Sequence, residues 1–423
     1  MIDRLKPKSE FSKNVLTLMT GTTIAQAIPI AISPILTRIY SPQDFGVLAL
    51  FVAISSIFGS IANGRYELAI MLPKKDEDAI NIFALGFIIV SILSIFLLLI
   101  VVVFHDNILH ILKNENISMW LYFIPISVFF IGVFNLLNYF NTRKKQFKDL
   151  AQATVLKSII TAVVQLGIGF LSSSATGLIS GQLASWFVAN IKLVKNTIKN
   201  KILISKISKV KIVALAKKYK DFPKFTMWAG LLNTSSTHFT NILISSMFNI
   251  KTLGFYSLSQ RMLGIPSSLI GSSIGQVFFQ EAMKEKHTIG TSLKVFKTTL
   301  KKLLIISIPF FVIMFIFVED IFAFIFGEEW RMAGIYTKSL VPFFMIQFIV
   351  SPLTAINQIY LKNKNVMFWQ GGLLIIYLII LYISKQIHAE FIDVLKYFSI
   401  YLSLYYLFHL FLLYYYIIKD INE

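Results

Sequence analysis

The chain contains no cysteine. That excludes disulfides, thiolate metal sites, cysteine nucleophiles and palmitoylation. Charge is also scarce: Asp, Glu, Lys and Arg make up 14% of the 423 residues, whereas soluble domains carry roughly 25%. Acidic residues are the rarer sign, with 21 Asp and Glu against 40 Lys and Arg. Signatures of enzymatic chemistry are missing as well. There is no phosphate-binding G-x-x-x-x-G-K loop, no G-x-S-x-G elbow and no paired-carboxylate motif. The histidines, among them His105, His110, His238 and His409, show no metal-ligand spacing. No enzyme activity and no cofactor are expected.

What the chain has instead is apolar length. Hydrophobic residues make up 56% of it, and the mean hydropathy is +0.71. A hydrocarbon core of about 30 Å needs about 20 consecutive apolar residues, and such runs recur along the sequence. They predict an all-α polytopic membrane protein with about twelve transmembrane helices. The expected spans are Asn14–Thr37, Phe45–Leu72, Ala79–Phe104, Ile117–Asn141, Gln152–Leu171 and Thr176–Val194. Those of the second half are Phe225–Phe248, Leu253–Phe279, Leu303–Val318, Gly334–Leu361, Val366–Ser384 and Phe391–Ile418. The basic start, Met1 to Lys13, resembles a signal peptide, but the apolar run after it continues past Pro29 and Pro34 without an A-x-A site, and reads as the first span.

The basic residues fall on alternate loops. One side carries Arg4, Lys6, Lys8 and Lys13, then Lys74 and Lys75, then Arg143, Lys144, Lys145 and Lys148. The same side has the run from Lys192 to Lys224, the lysines from Lys284 to Lys302, and Lys362, Lys364 and Lys419. The other loops carry only Arg38, Lys113, Lys251, Arg331 and Lys385. That asymmetry places both termini in the cytoplasm and requires an even number of spans. It also accounts for the net charge of +19 without nucleic acid. The stretch Lys192–Lys224 is the largest break in hydropathy. Residues 1–197 are expected as an N-terminal six-helix bundle, 198–222 as a basic linker, and 223–423 as a C-terminal six-helix bundle. With Ile202, Ile204, Ile207, Val210 and Val213 among its lysines, the linker predicts an amphipathic helix on the anionic inner leaflet. Two echoes suggest duplication: Phe45-Gly46-Val47 with Leu253-Gly254-Phe255, and His105-Asp106 with Glu319-Asp320.

Polar residues inside spans are expensive, so their arrangement is informative. Thr22, Gln26, Ser33 and Thr37 share a helical face, as do Asn135, Asn138 and Asn141. So do Asn233, Thr237 and Asn241, and Gln347, Ser351, Thr354 and Gln358. For any one residue, ordinary interhelical hydrogen bonding explains the pattern. Four such stripes, on the first, fourth, seventh and tenth spans, predict a central hydrophilic cavity with Gln26, Asn233 and Gln347 among its substrate contacts. The charged candidates are Arg65, Arg261, Lys338, Lys157, Lys396 and Glu67. Arg65 lies seven residues before Leu72, about 10 Å into a continuous helix. Two arginines at different depths suit an anionic pyrophosphate, because guanidinium forks bind phosphate oxygens bidentately. Snorkelling to the nearer interface is the competing explanation. Glu67 is the candidate for a coupling proton or Na⁺. Arg65 and Glu67, two apart, do not face each other on a helix and are not expected to pair.

Particular strings carry a family resemblance. Leu36-Thr37-Arg38-Ile39-Tyr40-Ser41-Pro42-Gln43-Asp44-Phe45-Gly46, Arg65-Tyr66-Glu67-Leu68-Ala69-Ile70 and Tyr219-Lys220-Asp221-Phe222-Pro223 are three of them. The segment from Leu253 to Arg261, the one from Gly271 to Ala282, and Phe326-Gly327-Glu328-Glu329-Trp330 are the others. Together they resemble Wzx-type flippases for O-antigen and capsule repeat units, in the multidrug/oligosaccharidyl-lipid/polysaccharide (MOP) exporter superfamily. The resemblance implies two six-helix bundles around a central cavity. It further implies transfer of an undecaprenyl-pyrophosphate-linked oligosaccharide from the cytoplasmic to the periplasmic leaflet by alternating access. Related lipid II flippases use cationic cavity residues for the pyrophosphate, which fits Arg65 and Arg261 in kind. Implied partners are the lipid-linked glycan, membrane lipids, a polysaccharide polymerase and a chain-length regulator. A multidrug/cation antiporter of the same superfamily is the main alternative, and a membrane-embedded polymerase a more distant one.

Overall fold

A computed structural model describes residues 10–172, 174–198 and 201–422. The N-terminal Arg4, Lys6 and Lys8 lie outside them. Among the described residues, twelve helices take the places of the twelve expected spans. In order they are α1 (Glu10–Ile39), α2 (Pro42–Gly59), α3 (Asp76–Val103), α4 (Ile124–Arg143), α5 (Phe147–Leu171) and α6 (Ala175–Ile198). Then follow α7 (Met227–Met247), α8 (Ile250–Pro266), α9 (Leu293–Phe326), α10 (Arg331–Val350), α11 (Asn363–Gln386) and α12 (Phe391–Asn422). No strand occurs among the described residues.

Among the described residues, ten stretches are long and apolar enough to cross a membrane. The expected spans Thr176–Val194 and Phe225–Phe248 are not among them, although they form α6 and α7. In α7 the reason is composition: Asn233, Thr234, Ser235, Ser236, Thr237, His238, Thr240 and Asn241 fall within two turns or so of one another. The lipid-facing character of the others is visible in side chains such as Ile92, Val103, Ile305 and Phe408, all exposed within apolar helices. This is a multi-pass membrane protein.

The chain divides into two compact units, Met1–Ser246 and Met247–Glu423. In the first, α5 packs on α1 and α6, while α4 packs on α2, α3 and α6. Local chemistry sets the start of α2. Ser41 caps it, Pro42 occupies its first turn, and Asp44 closes the capping box, receiving the Ser41 amide at 3.0 Å. Tyr40, just before the cap, donates its hydroxyl to the Gln165 carbonyl at 2.6 Å. Gly169 and Gly177 leave room for that ring, since a Cβ on either would press into it. The most familiar string of the sequence is thus a structural joint between α2 and the α5–α6 hairpin. Arg143, at the end of α4, pins the loop before α3: its Nε donates to Asp76 at 2.8 Å and its Nη1 to the Ile70 carbonyl at 3.1 Å. Lys144 pairs with the same carboxylate.

The basic linker does form a helix, Lys209–Lys218, but it is not simply a surface float. Leu203 and Leu215 are buried in a cluster with Ala79, Ile80 and Ile82 of α3. Asn81 ties the connection polar-side: its Nδ2 donates to the Lys206 carbonyl at 3.0 Å and its Oδ1 accepts the Ser208 amide at 2.8 Å. Lys211 donates to Glu77 at 2.9 Å, and that hydrogen bond raises the lysine above its ordinary range. Ile202, Val210 and Val213 remain exposed on the opposite side.

In the second unit, α10 packs against α8, α9 and α12, and α11 against α12. The eighth expected span is not one regular helix: a π-helical turn, Ser267–Gly271, joins α8 to a helix over Ser272–Ile289. The tenth also breaks. After α10 come a 3-10 turn, Ser351–Ala355, and a short helix, Ile356–Ile359. Some joints recur between the units. Lys145 at φ 56° follows α4, and the Gln146 amide returns to the Asn141 carbonyl at 2.9 Å. Leu361 at φ 56° follows the short helix, and the Lys362 amide returns to the Asn357 carbonyl at 2.7 Å.

Candidate functional site

The expected second span, Phe45–Leu72, is not continuous. Helix α2 stops at Gly59, and the chain turns through Ser60–Arg65 before a short helix, Tyr66–Ala69. Gly64 and Arg65 both adopt the left-handed region, at φ 59° and 62°. Glycine accepts this freely; for arginine it costs about 1–2 kcal/mol. The turn is held by Asn63, buried, whose Nδ2 donates to the Gly86 carbonyl at 3.2 Å while its own carbonyl accepts the Tyr66 amide. Downstream, the Tyr66 hydroxyl reaches the Ala216 carbonyl of the linker at 3.0 Å.

This turn corrects the expectation that Arg65 and Glu67 point apart. Arg65 Nη1 lies 3.7 Å from Glu67 Oε1. The Glu67 side chain is only 4% exposed and that of Arg65 25%. The guanidinium rests on Gly230 of α7, where any Cβ would run into Nη2, Cζ and Nε. A glycine inside a helix costs about 1 kcal/mol relative to alanine, and here the close approach of the arginine accounts for it. Arg65 Nε and Glu67 Oε2 are buried with no hydrogen-bond partner. The site is therefore a charged pair whose buried Nε–H and Oε2 both lack a hydrogen-bond partner. Asn233, three residues beyond Gly230 and so on the same helical face, is exposed. Gln26, on α1, is half-buried. Of the polar stripe on α1, Ser33 and Thr37 are buried. Lys157 on α5 lies over the Trp186 ring at 2.9 Å and near Phe134 at 5.7 Å.

In the second unit Arg261 sits on α8, half-buried, with no carboxylate at ion-pair distance among the described residues. Its neighbour Gln260 donates to the Tyr256 hydroxyl at 2.7 Å. Lys338 on α10 is paired with Glu319 of α9 at 2.7 Å. Gln347 donates to the Tyr406 hydroxyl at 3.1 Å, and so belongs to a polar and aromatic group on α10, α11 and α12. That group includes Trp369 stacked on Tyr405, and His409 hydrogen-bonded to Asn357. The sequence signals it weakly, through Tyr405, Tyr406 and His409 at one-turn spacing. Gly230 carries no sequence signal at all.

Comparison with known proteins decides the family. A family model described as "Polysaccharide biosynthesis protein" matches residues 35–334. The chain belongs to that family. Its fold is that of the MOP superfamily. A multidrug resistance MATE family transporter of that superfamily superposes with a TM-score of 0.74 at 13% identity, covering 96% of both chains. The lipid II flippase MurJ gives 0.74 at 13% identity over 93% of this chain and 87% of that one. A MOP superfamily transporter from Pyrococcus furiosus gives 0.54 at 12% identity over 97% and 96%. No curated protein matches the sequence. By family the chain is thus a polysaccharide biosynthesis protein, and by fold it is similar to these membrane proteins.

Proposed function

We propose that this polysaccharide biosynthesis protein flips an undecaprenyl-pyrophosphate-linked oligosaccharide, an O-antigen or capsule repeat unit, from the cytoplasmic to the periplasmic leaflet of the inner membrane. The observation that carries the reading is the arginine at the break after α2. A guanidinium within a membrane-spanning unit, held by a single carboxylate and keeping a buried Nε–H without an acceptor, is built to take a further anion. Arg261, with no carboxylate beside it among the described residues, offers a second such point. The glycan is polar and cannot cross hydrocarbon unaided, while the polyprenyl tail can stay in lipid. Alternating access without nucleotide hydrolysis in this chain lowers that barrier, and Glu67 is the candidate carrier of a coupling H⁺ or Na⁺. The lysine asymmetry of the loops supports cytoplasmic termini and a division into six-span halves at the basic linker. A polysaccharide polymerase and chain-length regulator are the partners this role requires.

The test is flipping of a fluorescent polyprenyl-pyrophosphate oligosaccharide in proteoliposomes, comparing the protein with Arg65→Ala and Arg261→Ala. Protein-dependent transfer that falls at least about tenfold in both variants, equivalent to about 1.4 kcal/mol per decade, is expected. No transfer of any lipid-linked glycan, with efflux of organic cations from the same vesicles, would assign the protein to the antiporter branch.

A further inference from the structure

We propose that His409 is a proton-binding site whose occupancy controls the break in the tenth span. The imidazole is 4% exposed, on the membrane-spanning helix α12. Its Nε2 lies 3.3 Å from Asn357 Nδ2. The same Nδ2 faces the Thr354 carbonyl at 3.1 Å. A carbonyl oxygen only accepts, so the amide nitrogen, not the oxygen, must occupy that position. One amide hydrogen goes to Thr354 and the other to His409. Nε2 therefore accepts, and the neutral ring carries its hydrogen on Nδ1. That hydrogen has no acceptor, since His409 Nδ1 is buried and unpartnered.

This arrangement tolerates one protonation state only. A proton added to Nε2 sets two donors against each other. Turning the Asn357 amide would present its oxygen to the imidazolium but point that oxygen at the Thr354 carbonyl. Either the ring or the turn has to move. Thr354 lies in the 3-10 turn Ser351–Ala355, and Asn357 in the short helix after it. Uptake of one proton thus unfastens the segment where the tenth span departs from a regular helix.

The groups around the ring leave nothing to neutralise it in place. From α11 comes Trp369, with ring centroids 4.5 Å apart. The short helix brings Asn357, and α12 itself carries Tyr405 and Tyr406, which engage the Trp369 carbonyl and Gln347. From α10 the polar group is Gln347. The lysines of α9, Lys294, Lys297, Lys301 and Lys302, are exposed. Glu319 of α9 is held by Lys338. Lys286 is engaged by Asp420 and the Tyr360 ring, and Lys362 lies over Tyr416 at 5.7 Å. Among the described residues no carboxylate reaches His409 at ion-pair distance.

The experiment reads the proton directly and does not depend on what cargo the protein carries. Tryptophan emission is recorded between about pH 3 and 9, a window wide enough for a buried as well as an exposed histidine, for the full-length protein and for His409→Gln. An imidazolium quenches a contacting indole more than neutral imidazole does. The expected result is a drop in emission on acidification that His409→Gln lacks. A cysteine placed at exposed Gln358 is the only thiol in the chain, so maleimide labelling reports the state of the turn. At each pH, labelling relative to the same cysteine in the His409→Gln background should rise severalfold through the quenching step. Superimposable emission curves, or relative labelling that ignores the step, would overturn the proposal. Should His409→Gln fail to fold, Asn357→Asp serves instead. A carboxylate facing the ring favours its charged form and should move the quenching step up by about 1 pH unit or more. An unmoved step would count against the site.

Discussion

The Arg65 guanidinium and the Glu67 carboxylate approach to 3.7 Å although a single residue separates them. On a helix they would diverge by well over a quarter turn. The pairing exists because Arg65 is left-handed and the short helix starts only at Tyr66. The charged pair and the backbone break are one feature.

The break can be separated from the charge. Arg65→Gly relieves the left-handed strain of about 1–2 kcal/mol that arginine already carries, whereas Arg65→Ala keeps that strain; both lose the charge. Arg65→Gly should therefore unfold at higher temperature than Arg65→Ala, while both lose flipping equally. A glycine variant that flips at the rate of the unaltered protein would show that the turn, and not the guanidinium, carries the function.

Gly230→Ala should displace the guanidinium while leaving both charges in the chain. The exchange favours α7 by about 1 kcal/mol in helix propensity, so the helix itself gains. Reduced flipping with unchanged or increased helicity by circular dichroism is the expected outcome. Unchanged flipping would mean that the seat on α7 does not matter to transport.

Gly177→Ala should destabilise the first unit by about 1–3 kcal/mol, because the new methyl group presses on the Tyr40 ring. Tyr40→Phe alone forfeits the bond to the Gln165 carbonyl, worth about 0.5–1.5 kcal/mol. The double variant should be more stable than the sum of the two, since the displaced hydroxyl is gone. Thermal unfolding of the four proteins in one detergent measures that coupling, and strict additivity would refute it.

Asn81→Leu removes both linker bonds from α3. Leaving the half-buried Ser208 amide without its acceptor costs about 1 kcal/mol. Limited proteolysis should then cut earlier within Lys201–Lys218. Cleavage kinetics identical to those of the parent would show that the Asn81 bonds do not hold the linker and that the burial of Leu203 and Leu215, with the Lys211–Glu77 and Tyr66–Ala216 contacts, suffices.

Much of the fold was legible because apolar length is a local property. Each lipid-crossing helix declares itself through about 20 consecutive residues, as α3 and α9 do. The tyrosine-serine-proline string read as a mark of kinship, and in the fold it is a cap and an anchor for Tyr40. Glu67 was legible as a buried carboxylate, but its partner was not. The spacing rule that excluded the pairing assumes a continuous helix, and Gly64 alone does not announce two left-handed residues in succession. In the linker Ile202 and Val210 are exposed, whereas the docking of Leu203 and Leu215 onto α3 did not show in the sequence.

By itself the sequence determined that this chain lives in a bilayer, as many apolar helices with a basic linker, because hydrophobic length and charge scarcity leave no soluble alternative. It also determined which polar and charged side chains have to be accommodated there. Only the tertiary structure decided how: Arg65 against Glu67 and Gly230, Lys338 against Glu319, His409 against Asn357. Those choices depend on residues far apart in the chain, or on turns that reverse a side chain's direction, and the energy of a buried charge or amide is set by its neighbours in space.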